Sequence, residues 1–145
     1  MSYAQNKSIA RRFIQEVFNE GKIEDAKKLL TPDIVYQGVF EEVRGLEEFK
    51  QWIAEDRRAF PDAKFTVVDE FGEQNKVAIR WIMKATHEKD IAGLPASHEK
   101  FETHGADIFH FEKDKIKEAW TIFDALTPAL QLGIVEKVQQ VESKK

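Results

Sequence analysis

Hydrophobic residues in the first third of the chain recur at the spacing of helices. In the first predicted helix Ile9, Phe13 and Val17 form one apolar line, and Gly21 is typical of a helix end. Ser2 and Gln5 have the spacing of a capping box at its start. The same pattern predicts two further helices, with inward positions at Ala26, Leu29 and Leu30 in the second and at Phe49, Trp52, Ile53 and Phe60 in the third.

Elsewhere the hydrophobic pattern has a period of two, which predicts β-strands. One strand precedes the third helix, and four more follow it. The predicted strands cover residues 33–40, 65–71, 77–87, 101–111 and 116–124. Lys113 and Asp114 are predicted to form a two-residue turn between the last two strands.

Three other segments complete the predicted layout. Residues 89–98 are predicted to form a loop because they include Gly93 and Pro95. Thr127 and Pro128 are typical of a helix start, so a last helix is predicted from about Pro128. The polar residues 136–145 are predicted to be a frayed tail.

Helices followed by a meander of long strands are typical of the α+β class. We predict a strongly curved antiparallel or mixed sheet, with the N-terminal helices packed on its concave face. A length of 145 residues fits one domain, spanning residues 1–145. Such a sheet forms a cone with a hollow beneath the helices, and the eleven Phe and three Trp could line it as an apolar pocket.

Composition and charge exclude several classes of function. The chain has no Cys, which excludes disulfides, thiolate nucleophiles and cysteine metal sites. The net charge is −4 with acids and bases interspersed, so nucleic-acid binding is not expected. No segment approaches the roughly 20 apolar residues of a membrane span. We therefore expect no membrane contact and a cytoplasmic protein.

Several short segments, in order along the chain, resemble one known family. They are residues 13–21 at the first helix, Ala59-Phe60-Pro61-Asp62 after the third, Thr86-His87 with Gly93-Leu94-Pro95, Lys115-Ile116 with Glu118, Trp120 and Asp124, and Gln131-Leu132-Gly133. Together they are similar to the SnoaL-like polyketide cyclases, within the group that includes nuclear transport factor two and ketosteroid isomerase. The resemblance implies the cone-shaped fold, catalysis without a cofactor, and a homodimer or tetramer that pairs through the sheet.

The resemblance also implies a catalytic carboxylate. In the family a carboxylate on the last strand is the general acid/base of an intramolecular aldol ring closure, and the matching residue is Asp124. Its neighbours in residues 120–126 are mostly apolar, and an apolar environment raises a carboxyl pKa and makes the group a better base. The alternative is a structural role, in which Asp124 caps the last helix.

Strand pairing suggests a second carboxylate, Asp107. A two-residue turn at residues 113–114 would place Asp107 opposite Trp120, on the same face of the sheet as Asp124. A single β-bulge would reverse this assignment. Asp107 could polarise a substrate, or it could form a structural ion pair with Arg80.

The remaining candidates are histidines and aromatic rings. His87 ends the apolar line of its strand and could donate a hydrogen bond to a substrate carbonyl, whereas His104 is a ligand-binding candidate that strand pairing places on the opposite face. Tyr36, Trp81 and Trp120 are predicted pocket walls. Each of these residues could instead be structural. The His spacing fits no metal motif, so no metal site is expected.

Several functions remain open at this stage. The first is a cofactor-independent enzyme that acts by aldol cyclisation or isomerisation on a small hydrophobic carbonyl substrate. The second is a non-catalytic module that binds a small hydrophobic ligand. The third is an enzyme like an epoxide hydrolase, which would need Asp107, Arg80 and Asp124 around one water. A purely oligomeric scaffold is the fourth.

Overall fold

The computed structural model of the chain describes residues 3–90 and 95–136. Three sequence predictions lie wholly or partly outside these residues. They are the capping role of Ser2, the middle of the loop predicted at residues 89–98, and the frayed tail beyond residue 136.

The N-terminal helix is the main cover of the sheet. Helix α1 (Tyr3–Arg12) continues as a π-helical segment (Phe13–Asn19), and Phe13 and Val17 are fully buried. Gly21 follows with φ 71°, a left-handed conformation that favours glycine. A 3₁₀ turn (Ile23–Asp25) then leads into the short helix α2 (Ala26–Leu29).

Six strands form one mixed sheet in the order β2-β1-β6-β5-β4-β3. Their bounds are β1 Leu30–Gln37, β2 Glu42–Arg44, β3 Lys64–Glu73, β4 Lys76–Thr86, β5 Lys100–Glu112 and β6 Lys115–Phe123. Strand β1 runs parallel to β6, and every other neighbouring pair is antiparallel. Helix α3 (Leu46–Ala59) connects β2 to β3, and helix α4 (Leu126–Gln131) follows β6.

The first strand begins earlier than its sequence pattern predicts. It covers Leu30–Gln37 instead of residues 33–40, and its pairing with β6 is irregular between Leu30 and Val35. Pro32 lies in that irregular stretch and has no N–H to donate to a neighbouring strand. Phe40 lies beyond the strand and is 80% exposed.

The core lies between the helices and one face of the sheet. Strand β4 alternates as predicted, with Val77, Ile79, Trp81 and Ala85 buried on the inner face. Helix α1 contacts strands β3 and β4. The prediction of an α+β cone, an open curved sheet covered by N-terminal helices, is confirmed.

The pairing of the last two strands differs from the prediction in one respect. Glu112 lies opposite Lys115 as expected, but a β-bulge between His110 and Phe111 then shifts the register by one residue. Asp107 therefore lies opposite Thr121, and Trp120 lies opposite Ile108. Since a shift of one residue moves side chains to the other face, Trp120 is on the outer face of the sheet.

That outer face is partly apolar. Ile122 is 63% exposed and Ile108 is 39% exposed, and the rings of Trp120 and His110 contact each other edge to face on the same two strands with centroids 4.7 Å apart. The expected pairing of two copies through this face stays a prediction.

Candidate functional site

A cavity of about 1280 Å³ lies between the inner face of the sheet and the helices. Its walls are mainly aromatic and aliphatic. They include Phe18 of the N-terminal helix, Tyr36 of β1, Trp52 of α3, Trp81 of β4 and Phe123 of β6. Pro128, Ala129 and Leu132 complete the wall on the side of helix α4. Apolar walls with a few polar groups are typical of a small-molecule site.

Asp107 is the buried carboxylate of this cavity. It is 2% exposed, and its Oδ1 atom has no hydrogen-bond partner among the described residues. Burial raises its pKa to about 6, and the neighbouring Thr121 and Trp81 side chains lower it by less. A carboxylate with this pKa can accept a proton near neutral pH. The alternative ion pair with Arg80 is wrong, because Arg80 pairs with Ala106 on the outer face and is exposed.

Three hydrogen-bonding side chains surround Asp107. The Nε1 atom of Trp81 is buried without a hydrogen-bond partner among the described residues. The pKa of Tyr36 is raised well above its ordinary value by burial and then by the charge of Asp107, so its hydroxyl stays a neutral donor. Thr121 is the residue opposite Asp107 on β6.

Gly105 makes room for this arrangement. A Cβ atom at Gly105 would lie 2.5 Å from Cη2 of Trp81, which is closer than side-chain atoms approach. Gly105 is directly opposite Trp81 in the pairing of β4 and β5. The missing side chain therefore lets the indole ring lie across β5 beside Asp107.

His87 lies in the same cavity as Asp107, one residue after β4 ends. It is 1% exposed, and its Nδ1 atom lies 3.2 Å from the Ser97 hydroxyl and 3.4 Å from the Ser97 backbone nitrogen. Its Nε2 atom has no hydrogen-bond partner among the described residues. His87 follows Ile79, the partner of Asp107 on β4, by eight positions along the chain.

Asp124 is outside the cavity, and the prediction of a buried carboxylate there is wrong. Its side chain is exposed and accepts hydrogen bonds from the backbone N–H and the hydroxyl of Thr127 in helix α4. These bonds, the hydroxyl first, lower its pKa instead of raising it. The geometry instead agrees with the alternative role, in which Asp124 caps the last helix.

We expect Asp124→Ala to lower the melting temperature by about 2–4 °C at pH 7, because an unpaired helix start is destabilising. A carboxylate with a lowered pKa stabilises the fold above its unfolded pKa, and this contribution is lost as the pH falls through the folded pKa. The deficit should therefore shrink as the pH is lowered progressively below 3.8. Differential scanning calorimetry at pH 7 and at a series of pH values below 3.8 tests this, with Glu136→Ala as a surface control, and a deficit that stays constant over the series would contradict it.

Two ligand-binding predictions also fail on geometry. Trp120 is on the outer face because of the β-bulge. His104 is exposed on the same face, with its Nε2 atom 3.7 Å from the Glu102 carboxylate. Tyr36 and Trp81 do line the cavity as predicted. The Asp107–Arg80–Asp124 constellation of the epoxide hydrolase alternative is not brought together.

The structure adds cavity residues that the sequence patterns did not single out. Glu41 lies in the loop between β1 and β2, and its Oε1 atom accepts a hydrogen bond of 2.5 Å from Trp52 Nε1. Asp56 lies on α3, one helical turn after Trp52, and its pKa is raised to about 6, by burial first. The one sequence signal was the i, i+4 spacing of Trp52 and Asp56, which puts both on one face of a helix.

A metal site and a membrane-spanning helix are two further possibilities for the part of the chain that the structure describes. No group of three His, Asp or Glu side chains there could hold a metal ion. None of the helices there is long and apolar enough to span a lipid bilayer.

Comparison with known families identifies the class of protein. The family model of the SnoaL-like polyketide cyclases matches residues 8–132. The chain therefore belongs to the SnoaL-like polyketide cyclase family. No match was found among curated protein sequences.

Several solved structures share the fold of this chain. IdmH, a proposed polyketide cyclase from Streptomyces antibioticus, is 27% identical with a TM-score of 0.78, over 89% of this chain and 99% of its own. TsrD from Streptomyces laurentii is 26% identical with a TM-score of 0.82, over 93% and 99%. AclR, a proposed hydroxylase from Streptomyces galilaeus, is 23% identical with a TM-score of 0.80, over 92% and 99%. At 23% identity the last likeness concerns the fold alone.

Proposed function

We propose that this protein catalyses proton transfer on a small hydrophobic carbonyl compound, as in an aldol cyclisation or a related isomerisation, with Asp107 as the general acid/base. The observation that carries the proposal is the buried Asp107 carboxyl group, which lines an apolar cavity with a free Oδ1 atom and a pKa of about 6. Membership of the SnoaL-like polyketide cyclase family supports the reaction class.

The proposed first step is removal of a proton from the carbon next to a carbonyl group. The C–H bond breaks, the proton moves to the Asp107 carboxylate, and the electron pair of that bond becomes the π-bond of an enolate. For cyclisation, the enolate carbon attacks a second carbonyl of the same molecule, and the Asp107 carboxyl group returns its proton to the new alkoxide. Atoms and electrons balance without another reactant, so an acid/base residue is sufficient.

Neighbouring donors would stabilise the enolate oxygen. The Trp81 indole N–H lies close enough to Asp107 to lower the pKa of that carboxyl group, and the Tyr36 hydroxyl stays protonated because its pKa is raised. Donors fixed before the reaction are effective because they need not reorganise as charge develops. His87 follows the partner of Asp107 by eight positions along the chain, so we assign its unpartnered Nε2 atom to a hydrogen bond with another part of the ligand.

The experiment uses hydrogen exchange at carbon, because exchange needs only the first step. 1-Tetralone, a fused-ring ketone, is incubated with the protein in D₂O, and loss of its α-proton signal is followed by ¹H NMR. We expect exchange faster than in buffer alone, increasing with pD as Asp107 ionises through about 6 and constant above that. Saturable binding of 1-tetralone without faster exchange would support the non-catalytic binding module instead.

A further inference from the structure

One wall of the cavity has an acidic character that the proposed proton transfer does not use. Besides Asp107, the charged lining side chains are five acids, Glu41, Glu55, Asp56, Glu88 and Asp90, and two bases, Arg58 and Lys89. Of the two lining histidines, His98 lies 3.6 Å from the Glu88 carboxylate. The imbalance of charge disfavours an anionic ligand in this cavity.

Glu41, Trp52 and Asp56 form the centre of this wall, which we call the acidic wall. Trp52 fixes Glu41 through its indole N–H, and Asp56 projects from the same face of α3 one turn later. Glu41 and Asp56 are close enough for the charge of Glu41 to raise the pKa of Asp56. An aromatic ring flanked by two carboxylates is an arrangement that suits an ammonium group.

One cation of the same helix, Arg57, acts on the acidic wall without forming an ion pair with it. The charge of Arg57 lowers the pKa of Asp56 by more than the charge of Glu41 raises it. Among the described residues, however, no side chain forms an ion pair within 4.0 Å with Asp56, and the Arg57 guanidinium donates its hydrogen bonds to the backbone carbonyls of Phe18 and Asn19. A positive charge on a ligand, placed between the two carboxylates, would add to the stabilisation that Arg57 provides.

A second observation shows that the same cavity has a place for a polar ligand group. Asp107, 2% exposed, has an unpartnered Oδ1 atom in the cavity. Tyr36 lies between the two regions, since the charges of both Asp107 and Asp56 act on its hydroxyl. The Tyr36 and Trp52 rings have centroids 5.0 Å apart and form a continuous aromatic wall between these regions.

We propose that the ligand carries a protonated amine, which binds at the acidic wall between Glu41, Trp52 and Asp56 while its hydrophobic body fills the cavity. This inference rests on the proposed function only in taking the cavity as the substrate site. It assigns a specificity-determining role to residues that take no part in the proton transfer. The ligand class is an amine-bearing hydrophobic carbonyl compound.

The test uses three probes with the same ring system: 2-naphthylmethylamine, 2-naphthylmethanol and 2-naphthoate. Their dissociation constants are measured by fluorescence titration at pH 7.5 with the wild type and with a double variant, Glu41→Gln with Asp56→Asn. We expect the amine to bind at least about ten-fold tighter than the alcohol, and the carboxylate to bind weakest. The double variant should reduce the amine preference to about three-fold or less, whereas Glu47→Gln on the exposed face of α3 should leave it unchanged.

The inference would be overturned if the amine binds no better than the alcohol, or if the preference for the amine survives in the double variant. It would also be overturned if none of the three probes binds. Circular dichroism of the double variant checks that it is folded. The outcome is separable from that of the proton-transfer proposal. Amine preference without exchange of 1-tetralone would remove only the catalytic proposal, and exchange without amine preference would remove only this one.

Discussion

Replacing Asp107 with Asn is expected to lower the exchange of 1-tetralone by about 10²–10⁴-fold, the usual contribution of a general base. Asn has nearly the same shape as Asp and cannot accept the proton, so the cavity should keep its form. Asp124→Asn is the matched comparison, because the family resemblance assigns the acid/base role to Asp124. We expect Asp124→Asn to retain exchange within about two-fold, since its carboxylate is bound to Thr127 outside the cavity.

Asp107→Asn, which should lower the exchange activity, should at the same time make the folded protein more stable. Burial raises the pKa of Asp107 from 3.8 to about 6, so the charged form is less stable in the folded protein than in the unfolded chain. This destabilisation is fully present above pH 6, is lost progressively as the pH falls from 6 to 3.8, and is absent below 3.8. At pH 8 Asp107→Asn should therefore raise the free energy of unfolding, by up to about 3 kcal/mol.

Urea denaturation at pH 8 and pH 4 measures this effect. A gain at pH 8 that disappears at pH 4 is expected from a buried acid retained for function. If Asp107→Asn destabilises the protein at pH 8, Asp107 is a structural residue. If Asp124→Asn loses exchange while Asp107→Asn does not, the assignment of the acid/base residue is wrong.

Phe13→Ala is expected to lower the free energy of unfolding by about 3–5 kcal/mol, because it removes a large ring from a packed core. Phe13 is fully buried where the N-terminal helix meets the sheet. Its ring centroid lies 5.2 Å from that of Phe18 and 5.7 Å from those of Phe49 and Phe109. One ring thus connects the helices to β5.

Phe71→Ala is the matched control, since the same ring at that position is 62% exposed. Its loss should be below about 1 kcal/mol, as is usual for surface substitutions. Urea denaturation of both variants at pH 7 measures the difference. Equal losses for Phe13→Ala and Phe71→Ala would mean that Phe13 is not central to the core.

Periodicity was sufficient to predict the fold class and the long elements, but it missed the three-residue strand β2, which is too short to show a period. The apolar line of β4 from Val77 to Ala85 faces the core as its alternation predicted, because one buried face fixes the direction of every second side chain. The helix containing Phe13 was predicted for the same reason at a period of 3.6. Tyr36, Trp81 and His87 were correctly placed in the cavity, since each belongs to such a line.

The candidate site was less predictable because it depends on single local features. One β-bulge between β5 and β6 put Trp120 outside and set Asp107 opposite Thr121, and nothing in the composition of that hairpin indicates the bulge. Asp124 is the first residue after β6, and its carboxylate accepts a hydrogen bond from the Thr127 N–H instead of facing the cavity. Glu41 and Asp56 come together through tertiary packing of a loop on α3, which no sequence spacing indicates.

The most direct test of the account is the pKa of Asp107, measured by NMR with ¹³C-labelled carboxyl groups and with Asp107→Asn to assign the resonance. We expect a value of about 6, in keeping with a desolvated acid that lines an apolar cavity. A value at or below about 3.9, the ordinary pKa of an Asp side chain, would mean a solvated or strongly hydrogen-bonded carboxylate and would contradict the proposed role in proton transfer.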